Sequence, residues 1–242
     1  MIALFRKELN QFFSTLIGLL TIIIFLIVNA LMMWVFSGDF NVLDYGYANM
    51  DAFFMLSAIL FLIFIPAICM RFFSEEYRTG TMEILLTKPI SSWNVVMSKY
   101  LAANTLVLIA ILPTLIYFVS IYFLGETIGN LDIGGIMGSY FGLFMLSSTF
   151  IAIGILASSI SSNQVVAYLI AIVCNAMIYY GFDVLSNISF LQNWDLFISN
   201  LGIAKHYERM SKGILDSRDI MYFLSACFLF LMLCKTIIQQ KR

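Results

Sequence analysis

The chain has no charged residue between Asp132 and Asp183. One helix that crosses the roughly 30 Å hydrocarbon core of a bilayer needs about 20 residues, so this interval is long enough for two crossings. Of the 242 residues, 62% are hydrophobic and 11% are charged, whereas a typical soluble domain has about 25% charged residues. A single soluble core cannot bury so much apolar surface, and the sequence therefore predicts a domain embedded in a membrane.

Uncharged intervals predict six spanning helices. The polar cluster of residues 158–164, SSISSNQ, divides the longest interval into two spans. The predicted spans cover about 14–36, 52–70, 100–124, 134–157, 165–187 and 220–238. The predicted fold class is therefore all-α, a single polytopic membrane domain over residues 1–242 with six transmembrane helices.

The charges predict the orientation of these spans. Cytoplasmic loops of membrane proteins carry an excess of Lys and Arg. If the residues before the first span are cytoplasmic, nine of the 13 basic residues lie inside and the other four outside, which are Lys205, Arg209, Lys212 and Arg218. Six spans then place both ends of the chain on the cytoplasmic side.

Residues 1–13 carry apolar side chains at steps of three and four, which are Ile2, Phe5, Leu9 and Phe12. This spacing predicts a short helix that lies on the inner leaflet with its apolar face in the lipid. The alternative is a simple cytoplasmic extension of the first span.

The outer segment of residues 186–219 is too long for a turn. An apolar stripe at helical spacing predicts a short helix that dips into the outer leaflet or covers the spans; its members are Phe190, Trp194, Phe197, Ile198 and Leu201. A surface helix with no part in transport is the alternative. His206 is the single histidine, and with no second ligand near it in the sequence it does not indicate a metal site.

The predicted fourth span contains Gly134, Gly138 and Gly142, one glycine at every fourth position. Such spacing lets two helices approach closely. It is compatible with helix packing inside the chain and with a face toward a channel or a second subunit, and both alternatives stay open.

The loop of residues 71–99 is the charged segment between the second and third spans. Ser74 is a candidate helix cap, and Glu75 and Glu76 fall in the first turn, where the helix dipole favours acids. Gly80 interrupts the helix, and Lys99 marks the return to the bilayer. The pattern predicts a short amphipathic docking helix for a cytoplasmic protein, and a loop that only anchors the two spans is the alternative.

Residues 76–90, EYRTGTMEILLTKPI, resemble the signature loop of type-2 ABC exporter permeases. Residues 158–164 resemble the polar turn after the fourth span of that family, and 206–207 with 213–223 resemble the start of its sixth span. Within the family the chain is most similar to the gliding-motility-associated permease subunit, and then to permeases of the multicopper-maturation type. The resemblance implies a coupling helix that contacts an ATPase through Glu75, Glu76, Arg78, Thr79, Gly80, Thr81, Met82, Glu83, Leu86 and Pro89.

The resemblance also implies partners. The chain has no GxxxxGK[ST] phosphate-binding loop, so ATP and Mg are expected on a separate cytoplasmic ATPase subunit, in two copies. A second permease chain, identical or different, completes the expected assembly in the bacterial cytoplasmic membrane. In the gliding-motility subgroup the resemblance implies that this second chain has a large extracytoplasmic domain. Nucleic acid is not an expected partner.

Two other functions compete with an ATP-driven exporter. A membrane scaffold of a motility or secretion machine would share the fold without moving a solute. An ATP-independent carrier is disfavoured because no ionisable residue falls in the middle of a predicted span. No catalytic Ser/His/Asp or paired-carboxylate pattern is present, so the chain is predicted not to be an enzyme, and the sequence does not indicate its substrate.

Overall fold

A computed structural model describes residues 1–87, 90–125, 129, 131–186 and 195–241, with the backbone alone at positions 17, 45, 84, 86, 196 and 197. The chain is 83% helical, and the described residues contain no strand. The all-α prediction is therefore confirmed. The helices are α1 (Ile2–Ser14), α2 (Leu16–Trp34), α3 (Val42–Tyr45), α4 (Asp51–Cys69), α5 (Ser74–Arg78), α6 (Thr81–Thr87), α7 (Ser92–Ile111), α8 (Leu115–Leu124), α9 (Ile133–Ile160), α10 (Gln164–Ser186), α11 (Asp195–Ser199), α12 (Ile203–Ser211) and α13 (Ser217–Gln240).

Five helical segments in the described residues are long and apolar enough to cross a membrane, and a sixth is added if α1 and α2 are taken as one bent span. They comprise α4 with α5, α7 with α8, and the single helices α9, α10 and α13. A 3-10 turn, Leu112–Thr114, joins α7 to α8 and contains Pro113. Proline lacks the N–H that a continuous α-helix needs, which explains this interruption.

Helix α9 is the centre of the domain. It packs against α4, α7, α10, α12 and α13, while α2 packs on α4 and α1 packs on α7. The residues of α9 are mostly buried, including Leu143, Phe150 and Ile155. In contrast, α10 exposes Val165, Leu169 and other large apolar side chains, which suits a helix at the lipid boundary.

Polar side chains join the helices inside the bundle. The hydroxyl of Ser57 on α4 donates to the side-chain oxygen of Asn29 on α2 at 3.1 Å. Ser148 on α9 donates to Asn104 on α7 at 2.6 Å. Such bonds between transmembrane helices are each worth about 0.6 kcal/mol on average, so they orient helices more than they hold them together.

Helix α1 meets α2 at a bend of 68°, where Thr15 adopts an extended backbone conformation. Leu9 and Phe12 pack against the core of the protein, whereas the spacing predicted that their face lies in the lipid; Ile2 is 69% exposed and Glu8 is buried. The face of α1 that packs on the protein therefore includes Glu8, which the apolar pattern did not assign to it. Glu8 is buried there because it has a cationic partner inside the protein.

Several helix ends differ from the predicted spans. Helix α9 continues to Ile160, so Ser158 and Ser159 are buried helical residues and the break falls at 161–163. Helix α7 begins at Ser92, so Lys99, predicted at the membrane entrance, lies two turns inside a helix. Helix α13 begins at Ser217, where Asp216 caps it.

In the residues that the structure describes, the outer segment contains two helices, α11 and α12. Phe190 and Trp194 of the predicted stripe lie outside the described residues. Helix α12 is amphipathic and buries Ile203, Tyr207 and Met210. The hydroxyl of Tyr207 donates to the carbonyl of Phe54 in α4 at 2.7 Å. This helix therefore packs into the bundle and does not simply lie on its surface.

The glycines of α9 serve packing within the chain. A Cβ at Gly138 would lie 3.1 Å from the carbonyl oxygen of Gly213, and one at Gly142 would lie 2.6 Å from the Cβ of Met210. Gly134 meets only the capping side chain of Asp132, at 3.5 Å. Gly138 and Gly142 thus admit α12 and the turn after it, whereas Gly134 has no helix against it in the described structure.

Candidate coupling site at one face of the domain

An exposed turn between α5 and α6 is the outermost part of the segment that joins the second and third spans. Its exposed residues are Arg78, Thr79, Gly80, Thr81 and Glu83, and we call this set the coupling turn. It offers a cation, an anion and two hydroxyls to the solvent. These groups suit a polar contact with a soluble protein.

Local chemistry explains why the chain turns here. Gly80 has φ +71°, and a Cβ added to it would meet no atom within 4 Å. The left-handed backbone conformation, and not a lack of space, is therefore what favours glycine at this position. The hydroxyl of Thr79 donates to the carbonyl of Glu75 at 2.8 Å and contacts the hydroxyl of Thr81 at 3.0 Å. The turn is thus fixed by its own side chains on the end of α5.

Other residues of the predicted docking set point into the protein. Glu76 and Met82 are buried, so they do not belong to the exposed surface of the chain, and their part in ATPase coupling stays a prediction. Glu75 is half-buried and pairs with Arg71 at 3.4 Å. The side chain of Leu86 and the whole of Pro89 lie outside the described structure.

Glu76 belongs to a group of four charges that we call the Lys99 cluster, made of the buried Lys99, Glu76 and Glu8 and the more exposed Lys7. The Nζ of Lys99 lies 2.8 Å from Glu8 Oε1 and 3.0 Å from Glu76 Oε2. The Nζ of Lys7 lies 2.7 Å from the other oxygen of Glu76. The buried members are one cation and two anions, and Lys7, which is 47% exposed, supplies the second cation, so the cluster joins α1, α5 and α7 with no net charge.

Lys99 is the centre of this cluster and is 1% exposed. Its ammonium group also donates to the carbonyl of Phe72 at 2.6 Å and lies 4.9 Å from the ring centroid of Phe73. These contacts replace the water that a buried ammonium ion loses. A buried ion pair adds little net stability, but it permits few alternative geometries.

A second attachment holds the start of α5 to α9. The hydroxyl of Ser158 accepts the backbone N–H groups of Phe73 at 2.9 Å and Ser74 at 3.2 Å. It donates in turn to the carbonyl of Met70 at 3.2 Å. Ser74 was predicted to cap α5, but Phe73 holds the cap position and the Ser74 hydroxyl donates to Met70 instead.

The structure therefore places α1, the coupling turn and the end of α9 on one face of the domain. Helix α5 is bonded to α1 and α7 through Glu76 and to α9 through Ser158. A displacement of the coupling turn therefore moves α5, which has direct polar contacts with three other helices.

A second buried charged group lies at the other end of α9 and was not predicted. The Nδ1 of His206 is 2.5 Å from Asp219 Oδ1, and its Nε2 is 2.8 Å from the carbonyl of Asn200. Arg209 lies 3.6 Å from the same Asp219 oxygen, and the ring of Tyr222 stacks on His206 at 4.0 Å. This group fastens α12 to the start of α13.

The two groups are separated by the thickness of a membrane. Gly138 contacts the turn after α12, and Ser158 contacts α5. At about 1.5 Å per residue, α9 rises about 30 Å between them, which equals the hydrocarbon thickness of a bilayer. The two charged groups thus lie toward opposite ends of α9, and apolar and neutral polar side chains fill the bundle between them.

Some of these residues had a signal in the sequence. Ile203, His206, Tyr207 and Met210 recur at steps of three, one and three, which indicates a buried helical face. Glu8 and Lys99 are 91 residues apart, and periodicity carries no information on such a pair.

Fold and site together define a polytopic helical membrane protein whose short charged segment is attached to several spans on one face. A family model described as ABC-2 family transporter protein matches residues 2–238, and the chain belongs to that family. It is therefore a membrane-spanning permease subunit of an ABC transporter, in a family that works with an ABC ATPase in the lipid bilayer. Comparison with curated proteins finds no match to this chain.

Proposed function

We propose that this permease is the membrane part of an ATP-driven exporter and that its ATPase docks on the coupling turn. The observation that carries the proposal is the attachment of α5. This helix exposes the coupling turn at the surface of the domain, while contacts of Glu76 and Ser158 bond it to neighbouring helices. A partner that moves Arg78–Thr81 therefore moves a segment bonded to α1, α7 and α9.

In this mechanism the ATPase supplies the free energy and the chain converts it into movement of helices. Binding of ATP brings two ATPase subunits together, and each pushes one coupling turn. The Lys99 cluster passes the displacement to α7, since both carboxylates share one buried ammonium group. A rigid joint transmits a force better than a flexible loop, because little of the motion is absorbed by rotation of side chains.

The orientation follows from the same proposal. The coupling turn, α1 and the end of α13 face the cytoplasm, and α12 with the His206–Asp219 group faces outward. The excess of basic residues on the coupling side supports this arrangement. Two permease chains, identical or different, and two ATPase subunits form the complete transporter in the cytoplasmic membrane.

The resemblance to the gliding-motility-associated permeases supports a role in gliding motility or protein secretion. A partner permease with a large extracytoplasmic domain is part of that proposal. A scaffold that anchors such a machine without moving a solute is the competing function, and it requires no stimulation of ATP hydrolysis by the permease.

Photo-cross-linking tests the docking site. A benzoylphenylalanine introduced at Thr81 or Glu83 is expected to cross-link to the ATPase in the purified complex, whereas the same group at the exposed Asp39, between α2 and α4, is not. An intact complex that cross-links at Asp39 and not at the coupling turn contradicts the proposal. A complex that cross-links at Thr81 but whose ATPase turns over equally fast without the permease favours the scaffold.

A further inference from the structure

Lys241, directly after α13, also contacts α5, in addition to the contacts that α5 makes with α1, α7 and α9. Its Nζ donates to the carbonyl of Ser159 at 2.9 Å and lies 4.1 Å from the ring centroid of Tyr77. Ser159 belongs to the last turn of α9, and Tyr77 belongs to α5. One ammonium group thus joins the end of α13 to two helices that are far from it in the sequence.

The carbonyl contact has a general physical cause. The last four carbonyl groups of an α-helix have no partner within the helix, and the negative end of the helix dipole attracts a cation there. Ser159 lies in the last turn of α9, and its own hydroxyl donates to the carbonyl of Leu156 at 2.7 Å. Lys241 therefore supplies the donor that the Ser159 carbonyl lacks.

The ring contact fixes Tyr77. Its hydroxyl is buried and has no hydrogen-bond partner among the described residues, so no hydrogen bond from that oxygen orients the ring. An ammonium group over the face of a tyrosine ring contributes about 0.5–1 kcal/mol at exposed sites and more where water is excluded. Lys241 is the cation that lies over Tyr77 in the described structure.

The end of α13 packs into the bundle. Cys234 and Ile238 are fully buried on the face that meets α9. Lys241 has no carboxylate within ion-pair distance in the described part of the chain, so its contacts are the carbonyl and the ring. Partial burial lowers the pKa of its ammonium group from the ordinary lysine value.

We propose that Lys241 is a positioning residue of the coupling apparatus, which fastens the sixth span to α5 through Tyr77 and to α9 through Ser159. This inference rests on the proposed function, because α5 matters for coupling only if the ATPase acts on the coupling turn. Movement of α5 then reaches α13 directly, in addition to the route through Lys99.

A distance measurement tests the contact in the chain without any ATPase. Spin labels on Thr79→Cys and Gln239→Cys, both exposed positions, report the separation of α5 and α13. The wild-type background is expected to give one narrow distance distribution. Lys241→Met is expected to broaden it, Lys241→Arg to keep it narrow, and Lys235→Met to leave it unchanged. A distribution that stays narrow in Lys241→Met overturns the proposal.

A double-mutant cycle on the assembled transporter tests the role. Lys241→Met and Tyr77→Leu are each expected to reduce permease-stimulated ATP hydrolysis several-fold while the ATPase still cross-links at Thr81. The double variant is expected to lose no more than Lys241→Met alone, because both substitutions remove the same contact between Lys241 and Tyr77. Fully multiplicative losses, or no loss in either single variant, contradict the role of Lys241 even if cross-linking upholds the docking site.

Discussion

Replacement of Lys99 by methionine is the most informative perturbation of the face that carries the coupling turn. Methionine fills a similar volume but removes the ammonium group that lies 2.8 Å from Glu8 and 3.0 Å from Glu76. Glu76 keeps Lys7 at 2.7 Å, whereas Glu8 keeps the same lysine only at 3.8 Å. Glu8, which is 5% exposed, is therefore left almost without a partner.

The expected loss follows from this geometry. Removal of one partner from a buried ion pair costs about 3–5 kcal/mol, because the other charge stays buried and uncompensated. For a chain of this size, 1 kcal/mol corresponds to roughly 2–4 °C in Tm. We therefore expect Lys99→Met to lower the melting temperature of the detergent-purified permease by roughly 10 °C.

A second variant separates the charge effect from the packing effect. Lys99→Met combined with Glu8→Gln removes the stranded carboxylate as well, and it is expected to recover half or more of the lost stability. Lys212→Met is the matched control, since its pair with Glu208 has the same 2.8 Å length but both side chains are more than 60% exposed. Exposed pairs contribute about 0–1 kcal/mol, so the control is expected to shift Tm by no more than about 3 °C.

Thermal unfolding followed by intrinsic fluorescence or by loss of monodisperse protein measures these shifts. A Tm of Lys99→Met within about 3 °C of wild type would refute the reasoning. A double variant that is no more stable than Lys99→Met alone would show that lost packing, and not a stranded charge, causes the effect.

Three further substitutions test other contacts by the same melting assay. Gly142→Ala would place a Cβ 2.6 Å from the Cβ of Met210, and such overpacking is expected to cost about 1–3 kcal/mol. Ser158→Ala leaves two backbone N–H groups of the turn after α4 without their acceptor, at an expected cost of about 1–3 kcal/mol each. Asp219→Asn removes the charge that faces His206 at 2.5 Å and is expected to cost about 1.5–3 kcal/mol.

Two controls for these substitutions come from other helices of the domain. Gly181→Ala on α10 introduces a Cβ with no atom within 4 Å and is expected to leave Tm unchanged. Ser120→Ala removes an exposed hydroxyl bonded only within α8 and is expected to have little effect. A Gly142→Ala protein as stable as Gly181→Ala would contradict the close approach of α12 to α9, and Asp219→Asn with a wild-type Tm would show that the His206 contact is dispensable.

Charge segregation made most of the fold predictable. A bilayer excludes charge from long helices, so the uncharged intervals of the sequence correspond to the long helices of the structure. The exact ends of the helices were less predictable, because a short polar side chain can donate a hydrogen bond to a backbone carbonyl of its own helix. Ser159, for example, donates to the carbonyl of Leu156 within α9, and it therefore did not mark the end of the helix as its polarity suggested.

The candidate site was predictable only in its exposed part. The charges and glycine of residues 78–83 indicated a turn that faces solvent, and the residues of the coupling turn are exposed. Glu8, Glu76 and Lys99 looked like ordinary cytoplasmic charges, because burial of an ionised side chain depends on partners that come together only in the fold. The sequence carried no sign that Lys99 would lie between two carboxylates from different helices.

Stimulation of ATP hydrolysis in the reconstituted transporter tests the central claim that Glu76 passes force from the coupling turn to α7. Glu76→Gln and Glu8→Gln each remove one carboxylate from Lys99, but only Glu76 belongs to α5. With cross-linking at Thr81 retained, Glu76→Gln is expected to reduce permease-stimulated turnover by about 5- to 150-fold, the range of 1–3 kcal/mol of coupling. Glu8→Gln is expected to keep it near wild type. Equal turnover in Glu76→Gln and wild type, with the ATPase bound, would contradict the account.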